Sequence, residues 1–321
     1  MAQASAGESQ IRRVAVIGAG TIGASWAATF LAGGLAVTAS DPAPEGEAFL
    51  RRYVAEAWPA LTRLGLKPGA TQEALRFVRD PVAALDGAQF VQESGPERED
   101  VKRALFRALD AASGPDVVIA SSSSGLLMSR LQEGCRHPER FVLGHPFNPP
   151  HLIPLVEVVG GRQTSPAAIE RAIHFYSAVG KRPIHIKKEV KGHLANRLQA
   201  ALWREAVHLV AEGVAEVADV DAAIAYGPGL RWAIMGPNLT FHLAGGVGGI
   251  EHFMAHLVGP LTSWWDDLGS PALTPELRCK LVDGVKEEAA GRSIAELAQW
   301  RDRLLLDILE AVKKGEKRSK G

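Results

Sequence analysis

Among ten histidines, His145 is set apart by its surroundings. It closes the apolar run 141–144 and opens Gly144-His-Pro-Phe-Asn-Pro-Pro150, a proline-dense loop with few conformations to lose. Twelve residues on, Glu157 stands alone in the apolar run Pro154-Leu-Val-Glu-Val-Val159. A carboxylate in such a run is costly unless it is paired. An imidazole would be a suitable partner, and the carboxylate would hold that ring in one tautomer. A histidine so held is a general base for a proton on oxygen. An exposed edge strand is the other reading of Glu157. His174 and His208 fall in helical patterns and His185 in a strand run, and all three read as structural.

A second chemical signal is Val14-Ala-Val-Ile-Gly18-Ala-Gly20-Thr21-Ile22-Gly23. It follows a strand-like run and opens an amphipathic stretch with Ile22, Trp26, Phe30 and Leu31 on one side. In that setting Gly18 permits a tight turn. Gly20 lets backbone N–H groups approach a pyrophosphate, and Gly23 lets the helix pack close to the sheet. The pyrophosphate would rest on the positive end of the helix that begins at Thr21 and Ile22. A structural glycine turn in some other α/β protein is the alternative. Asp41 ends the next strand run and is followed by Pro42, Ala43 and Pro44, without an arginine. A carboxylate there accepts hydrogen bonds from ribose hydroxyls and repels a 2′-phosphate, which selects NAD over NADP.

The elements that must position these groups alternate in type. Apolar runs at 14–17, 36–39, 89–92, 117–120, 141–143 and 155–159, with a weaker one at 184–186, are of strand length. Most are apolar throughout, as a strand buried on both faces reads. Helical patterns lie between them at 21–32, 46–64, 98–111 and 166–179. That order predicts an α/β fold, a doubly wound Rossmann-type sheet. His145 would then lie at a carboxyl end of the sheet, where such folds bind ligands. After about residue 190 the strand runs stop. Leu194, Leu198, Ala201, Leu202 and Leu209 follow helical spacing. Asp219 reads as an N-cap for 220–226, and Thr274-Pro275 as a cap and N1 proline for a helix to 285. Ser293 and Glu296 form a capping box for a helix to about 312. The expected division is a disordered leader 1–10, a nucleotide domain 11–191, an all-helical domain 192–312 and a basic tail 313–321.

Composition narrows the class. The 321 residues carry 36 Lys+Arg against 36 Asp+Glu, which argues against a nucleic-acid binder working through bulk positive charge. The two cysteines, Cys135 and Cys279, make neither a disulfide framework nor a metal motif, so no metal is expected and a cytoplasmic setting fits. No run approaches the ~20 apolar residues of a membrane span, and the start has no signal-peptide pattern.

The chain resembles the 3-hydroxyacyl-CoA dehydrogenase superfamily over about residues 11–310. The matching stretches are Gly18-x-Gly20-x-x-Gly23, Glu93-x-x-Pro-Glu97, Ala120-Ser-Ser-Ser-Ser124-Gly-Leu126, His145-Pro-Phe-Asn-Pro149, Pro154-Leu-Val-Glu157 and Gly192-x-x-x-Asn196-Arg197. Within it the L-carnitine dehydrogenase branch looks nearer than the lambda-crystallin/L-gulonate 3-dehydrogenase branch. Trp58-Pro-Ala-Leu, Tyr226-Gly-Pro-Gly-Leu-Arg-Trp232 and Trp264-Trp265 carry that likeness. The resemblance implies His145 as base, Glu157 as its orienting partner, and Ser124 and Asn196 as hydrogen-bond partners of the substrate oxygen. It puts Glu97 and Lys102 beside the nicotinamide, although their spacing alone reads as a solvated pair. It also implies an active site between two domains and a homodimer formed through the helical one. Gly125 follows Ser124 where the acyl-CoA enzymes commonly have serine.

The resulting expectation is NAD-dependent oxidation of the secondary alcohol of a small 3-hydroxy acid, L-carnitine first, with gulonate or a 3-hydroxyacyl-CoA as alternatives. A crystallin-like structural protein is the non-enzyme alternative, and the intact Ser124, His145, Glu157 and Asn196 set argues against it. A quaternary ammonium would be met by aromatic faces, for which Phe147 and Trp232 are candidates, and a carboxylate by Arg197 or Arg231. Segment 42–79 lacks the dense lysine cluster with which the acyl-CoA enzymes meet nucleotide phosphates.

Overall fold

The structure, a computed structural model, describes residues 11–318. The expected leader 1–10 and the last residues of the basic tail lie outside the described residues. The described residues separate into two compact units, which divide between Asn196 and Arg197.

The first unit is an eight-stranded sheet. Its strands are β1 (Arg13–Ile17), β2 (Ala36–Ser40), β3 (Leu75–Val78), β4 (Phe90–Glu93), β5 (Val118–Ser121), β6 (Phe141–Pro146), β7 (Leu155–Gly160) and β8 (Arg182–Ile186), in the order β3-β2-β1-β4-β5-β6-β7-β8. Helices α1 (Thr21–Ala32), α2 (Gly46–Leu64), α3 (Glu99–Ala112), α4 (Met128–Leu131) and α5 (Pro166–Ala178) connect them. Strand direction changes at one place: β7 runs antiparallel to β6, and β8 then runs parallel to β7. Order reverses at β1, which has β2 on one side and β4 on the other, so the turn after β1 opens at the switch point of the sheet.

Two-sided burial explains the apolar runs. Val14 and Val16 face one core with Trp26 and Phe30 of α1 and Phe175 and Tyr176 of α5. Ala15 and Ile17 face the other, with Phe106 and Leu109 of α3 and Met128 of α4. Trp26 and Phe30 of α1 meet Tyr176 and Phe175 of α5 at 5.4 and 5.3 Å, which packs the two helices together over the sheet.

Three expectations need correction. β3 was not expected, because Leu-Arg-Phe-Val is short and broken by a charged residue, as suits an edge strand. α4 is a single turn, too short to show a period. His145 does not end its strand: β6 continues to Pro146 because β7 pairs with it there.

The second unit is helical: α6 (Ala195–Ala211, whose first residues belong to the first unit), α7 (Val217–Tyr226), α8 (Pro228–Trp232), α9 (Pro237–Ala244), α10 (Gly249–His256), α11 (Val258–Trp265), α12 (Pro275–Ala289) and α13 (Ile294–Arg318). Thr274 caps α12 by accepting from the Leu277 N–H, and Ser293 with Glu296 closes a capping box on α13. α7 starts earlier than expected, with Glu216 at its N-cap and Asp219 inside the first turn. α13 continues past residue 312, since Lys, Glu and Arg sustain a helix. Among the described residues no helix is long and apolar enough to cross a membrane.

Candidate active site

The antiparallel pairing of β6 and β7 sets His145 directly opposite Glu157. His145 Nδ1 and Glu157 Oε2 are 2.9 Å apart, and both residues are buried. An ionised carboxylate only accepts hydrogen bonds, so Nδ1 carries the hydrogen and Nε2 presents a lone pair. Ser124 Oγ lies 3.0 Å from Nε2 and donates to it. The other carboxylate oxygen, Oε1, accepts the Leu194 and Ala195 N–H groups at 2.8 and 2.9 Å, at the start of α6. Burial alone would push the Glu157 carboxyl up. The His145 hydrogen bond and the two backbone N–H groups outweigh that and hold it below the usual carboxylate range. Asn196 follows in the same helical turn, half-buried.

Ser124 is held from below by Glu97. Glu97 Oε1 accepts from Ser123 Oγ (2.6 Å), the Ser124 N–H (3.0 Å) and the Gly125 N–H (2.8 Å). Burial opposes ionisation of Glu97, but those donors and the Lys102 charge bring its pKa down. Lys102 itself is 1% exposed, so the solvated-pair reading is excluded. Its Nζ is 2.6 Å from Glu93 Oε1 and 4.0 Å from Glu97 Oε2. Glu93 also accepts from Ser121 Oγ and the Gly95 N–H, each at 2.6 Å.

The glycine turn fits a dinucleotide. Gly18 has φ +92°, and a Cβ there would meet the Ser94 carbonyl oxygen at 2.7 Å. A Cβ on Gly23 would stand 1.7 Å from the Gly18 oxygen, so the helix approaches the turn as closely as backbone allows. Gly20 is exposed and has nothing within 4 Å of where a Cβ would project. No side chain caps α1, so the N–H groups of its first turn, which includes Thr21 and Ile22, face outward without one. An open face over uncapped donors is what a pyrophosphate requires. Asp41 Oδ2 accepts the Ala19 N–H at 2.7 Å and Oδ1 the Ala43 N–H at 2.8 Å, which ties the end of β2 to the turn and leaves further lone pairs.

The matches with known proteins agree with this geometry. The family models for the 3-hydroxyacyl-CoA dehydrogenase NAD binding domain and C-terminal domain match residues 13–190 and 192–269. The chain belongs to the 3-hydroxyacyl-CoA dehydrogenase family. It is an NAD-dependent oxidoreductase. It is 54% identical over 301 residues to the L-carnitine dehydrogenase of Streptomyces griseus subsp. griseus, covering 94% of this chain and 90% of that one. It is 51% identical over 304 residues to that of Pseudomonas putida, covering 95% of each. Among solved structures, an NAD+-dependent dismutase, 5-formyl-3-hydroxy-2-methylpyridine 4-carboxylic acid 5-dehydrogenase, superposes with TM-score 0.81 at 31% identity. It covers 95% of this chain and 99% of that one.

Three residues that complete the site were given no role in the sequence reading. Glu93 supports Lys102, as above. Tyr176 Oη donates to Gln92 Oε1 at 2.5 Å and occupies the place a Cβ on Gly144 would take, 1.8 Å away, so the residue before His145 is held to glycine. His193 sits inside the Gly192-x-x-x-Asn196 motif, buried, with its ring 4.8 Å from that of His145. The substrate candidates are spread along the chain. Phe147 is half-buried two residues after His145. Arg197 and Arg231 are exposed, and Trp232 on α8 is 42% exposed. Trp264 and Trp265 are both well exposed at the end of α11.

Proposed function

We propose that the chain oxidises the secondary hydroxyl of L-carnitine with NAD as acceptor. The observation that carries the chemistry is the line Glu157–His145–Ser124, in which the unprotonated imidazole nitrogen accepts from the serine hydroxyl. The substrate rests on the likeness to the L-carnitine dehydrogenases, six further relatives of that name being 46–54% identical.

His145 Nε2 takes the hydroxyl proton, and Glu157 stabilises the imidazolium that results. Ser124 and Asn196 hold the oxygen as it becomes a carbonyl. Bound NAD supplies the nicotinamide carbon that accepts the hydride. Gly18, Gly20 and Gly23 with the N–H groups of Thr21 and Ile22 hold the pyrophosphate, and Asp41 takes the ribose hydroxyls. Glu97 and Lys102 serve the nicotinamide side, Lys102 from beneath. Phe147 and Trp232 are the aromatic candidates for the trimethylammonium, and Arg197 and Arg231 the candidates for the carboxylate.

The surface of α2 supports a small substrate over a CoA thioester. Arg51 pairs with Glu47 at 2.8 Å and Arg52 approaches Glu56 at 4.0 Å, so these arginines face carboxylates of their own helix. In an assay with NAD, L-carnitine should yield NADH with kcat/KM roughly 100-fold or more above 3-hydroxybutyryl-CoA, gulonate and 3-hydroxybutyrate. Absence of NADH at millimolar L-carnitine would remove carnitine as the substrate. Efficient turnover of the thioester would return the chain to the acyl-CoA chemistry of its family.

The same reading takes the protein as a cytoplasmic homodimer joined through the helical unit. Its support is the apolar surface of that unit: Trp203, Leu230, Trp264, Trp265 and Trp300 are each at least half exposed. Surfaces of this kind mark association sites. Light scattering should return twice the 34.2 kDa chain mass, and a monomer at micromolar concentration would count against it.

A further inference from the structure

His193 has features that packing alone does not account for. It is 2% exposed yet carries two ring nitrogens. Its backbone is left-handed, with φ +50°, directly after Gly192 at φ +78°. Two successive positive φ values form the turn that brings the Leu194 and Ala195 N–H groups onto Glu157. Across that turn His193 Nε2 lies 3.1 Å from the Ser123 carbonyl oxygen. A carbonyl only accepts, so Nε2 carries the hydrogen. Nδ1 is buried and has no hydrogen-bond partner among the described residues. An imidazolium would need an acceptor at both nitrogens, and only one is provided. The ring therefore sits neutral, 4.8 Å from that of His145.

Resting on the dehydrogenase reading above, we propose that His193 is a positioning residue. Its Nε2–H ties the Ser121–Ser124 segment to the turn before α6, so that Ser124 and Glu157 converge on His145, and its neutrality leaves the charge formed at His145 to Glu157. The groups facing it are His145 on β6, Glu157 on β7, Glu97 before α3 and the Ser123 carbonyl. Burial, and then the neighbouring His145, depress its pKa below the usual 6.5, against opposing contributions from Ser123, Glu157 and Glu97.

The sign of the linkage follows. Below about 6.5 an unfolded histidine binds a proton that native His193 refuses, so stability falls as pH drops through that region. Three forms of the full chain test this: wild type, His193→Phe, which keeps the bulk, and His193→Gln, which keeps a donor. His193→Phe should lower kcat roughly ten-fold with KM for carnitine and Kd for NAD within about two-fold, and His193→Gln should recover part of the loss. Melting temperature should fall more steeply with pH between 6.5 and 5 in wild type than in either variant. Equal kcat in all three, equal loss in both variants, or identical melting profiles would overturn the proposal. If His193→Phe does not fold, His193→Gln decides by the melting profile, where no change from wild type overturns it. The melting profile needs no substrate, so it holds or fails separately from the carnitine assignment.

Discussion

Glu157→Gln should lower kcat by about 10³-fold or more, the scale seen when a base is locked in its wrong tautomer. The direction of the substituted amide is not free. Oε1 of Glu157 receives the Leu194 and Ala195 N–H groups, and only a carbonyl oxygen can replace it there. The new NH2 group is thereby turned toward His145 Nδ1. Nδ1 must then accept, the ring hydrogen moves to Nε2, and the lone pair that would take the hydroxyl proton is gone. NAD binding, which rests on the turn after β1, should stay within about two-fold. Nitrogen-15 spectra of the variant should show the Nε2–H tautomer of His145. A kcat within ten-fold of wild type would show that Glu157 does not set the tautomer.

Much of the nucleotide half of this argument was legible in the sequence, and for a local reason. A parallel strand buried on both faces writes itself as an unbroken apolar run, and the turn after β1 writes its steric needs as glycines. Both are properties of a few consecutive residues. The strand that carries His145 was less legible. Its last two residues are held in the sheet by β7, and no feature of 141–146 announces an antiparallel partner ten residues on. Glu157 did betray itself, because a single charge in an apolar run is a cost that requires a partner.

His193 gave no such sign. A histidine between Gly192 and Leu194 reads as a loop residue. Its burial, its left-handed backbone and its contact with Ser123 arise only when β5, β6 and the start of α6 meet. Lys102 misled for the same reason. Its spacing from Glu97 suggests a surface pair, whereas the structure buries it against Glu93 at the polar end of β4. In the second unit the capping signals of α12 and α13 were readable because they are local. The pairing of its apolar faces was not, since Trp264 and Trp265 both stand on the surface.

His145→Gln should lower kcat by roughly 10²- to 10⁴-fold, the usual range for loss of a general base. Glutamine keeps a polar group near Glu157 but has no lone pair of suitable basicity at the position of Nε2. The deficit should shrink as pH rises, since hydroxide can then take the proton that the side chain no longer accepts. Combining the variant with Glu157→Gln gives the sharper result. If Glu157 acts only by orienting His145 and balancing its charge, removing it after His145 has gone leaves nothing further to lose. The double variant should then have a kcat within about three-fold of His145→Gln, far from the product of the two separate losses. Losses that multiplied would mean that Glu157 touches the reacting atoms by itself, which the geometry opposes. One of its oxygens is committed to the start of α6 and the other to the imidazole. Folding should survive the double change, because glutamine at 157 can still accept from Leu194 and Ala195. Circular dichroism and NAD titration on the same samples check that the lost rate is chemical.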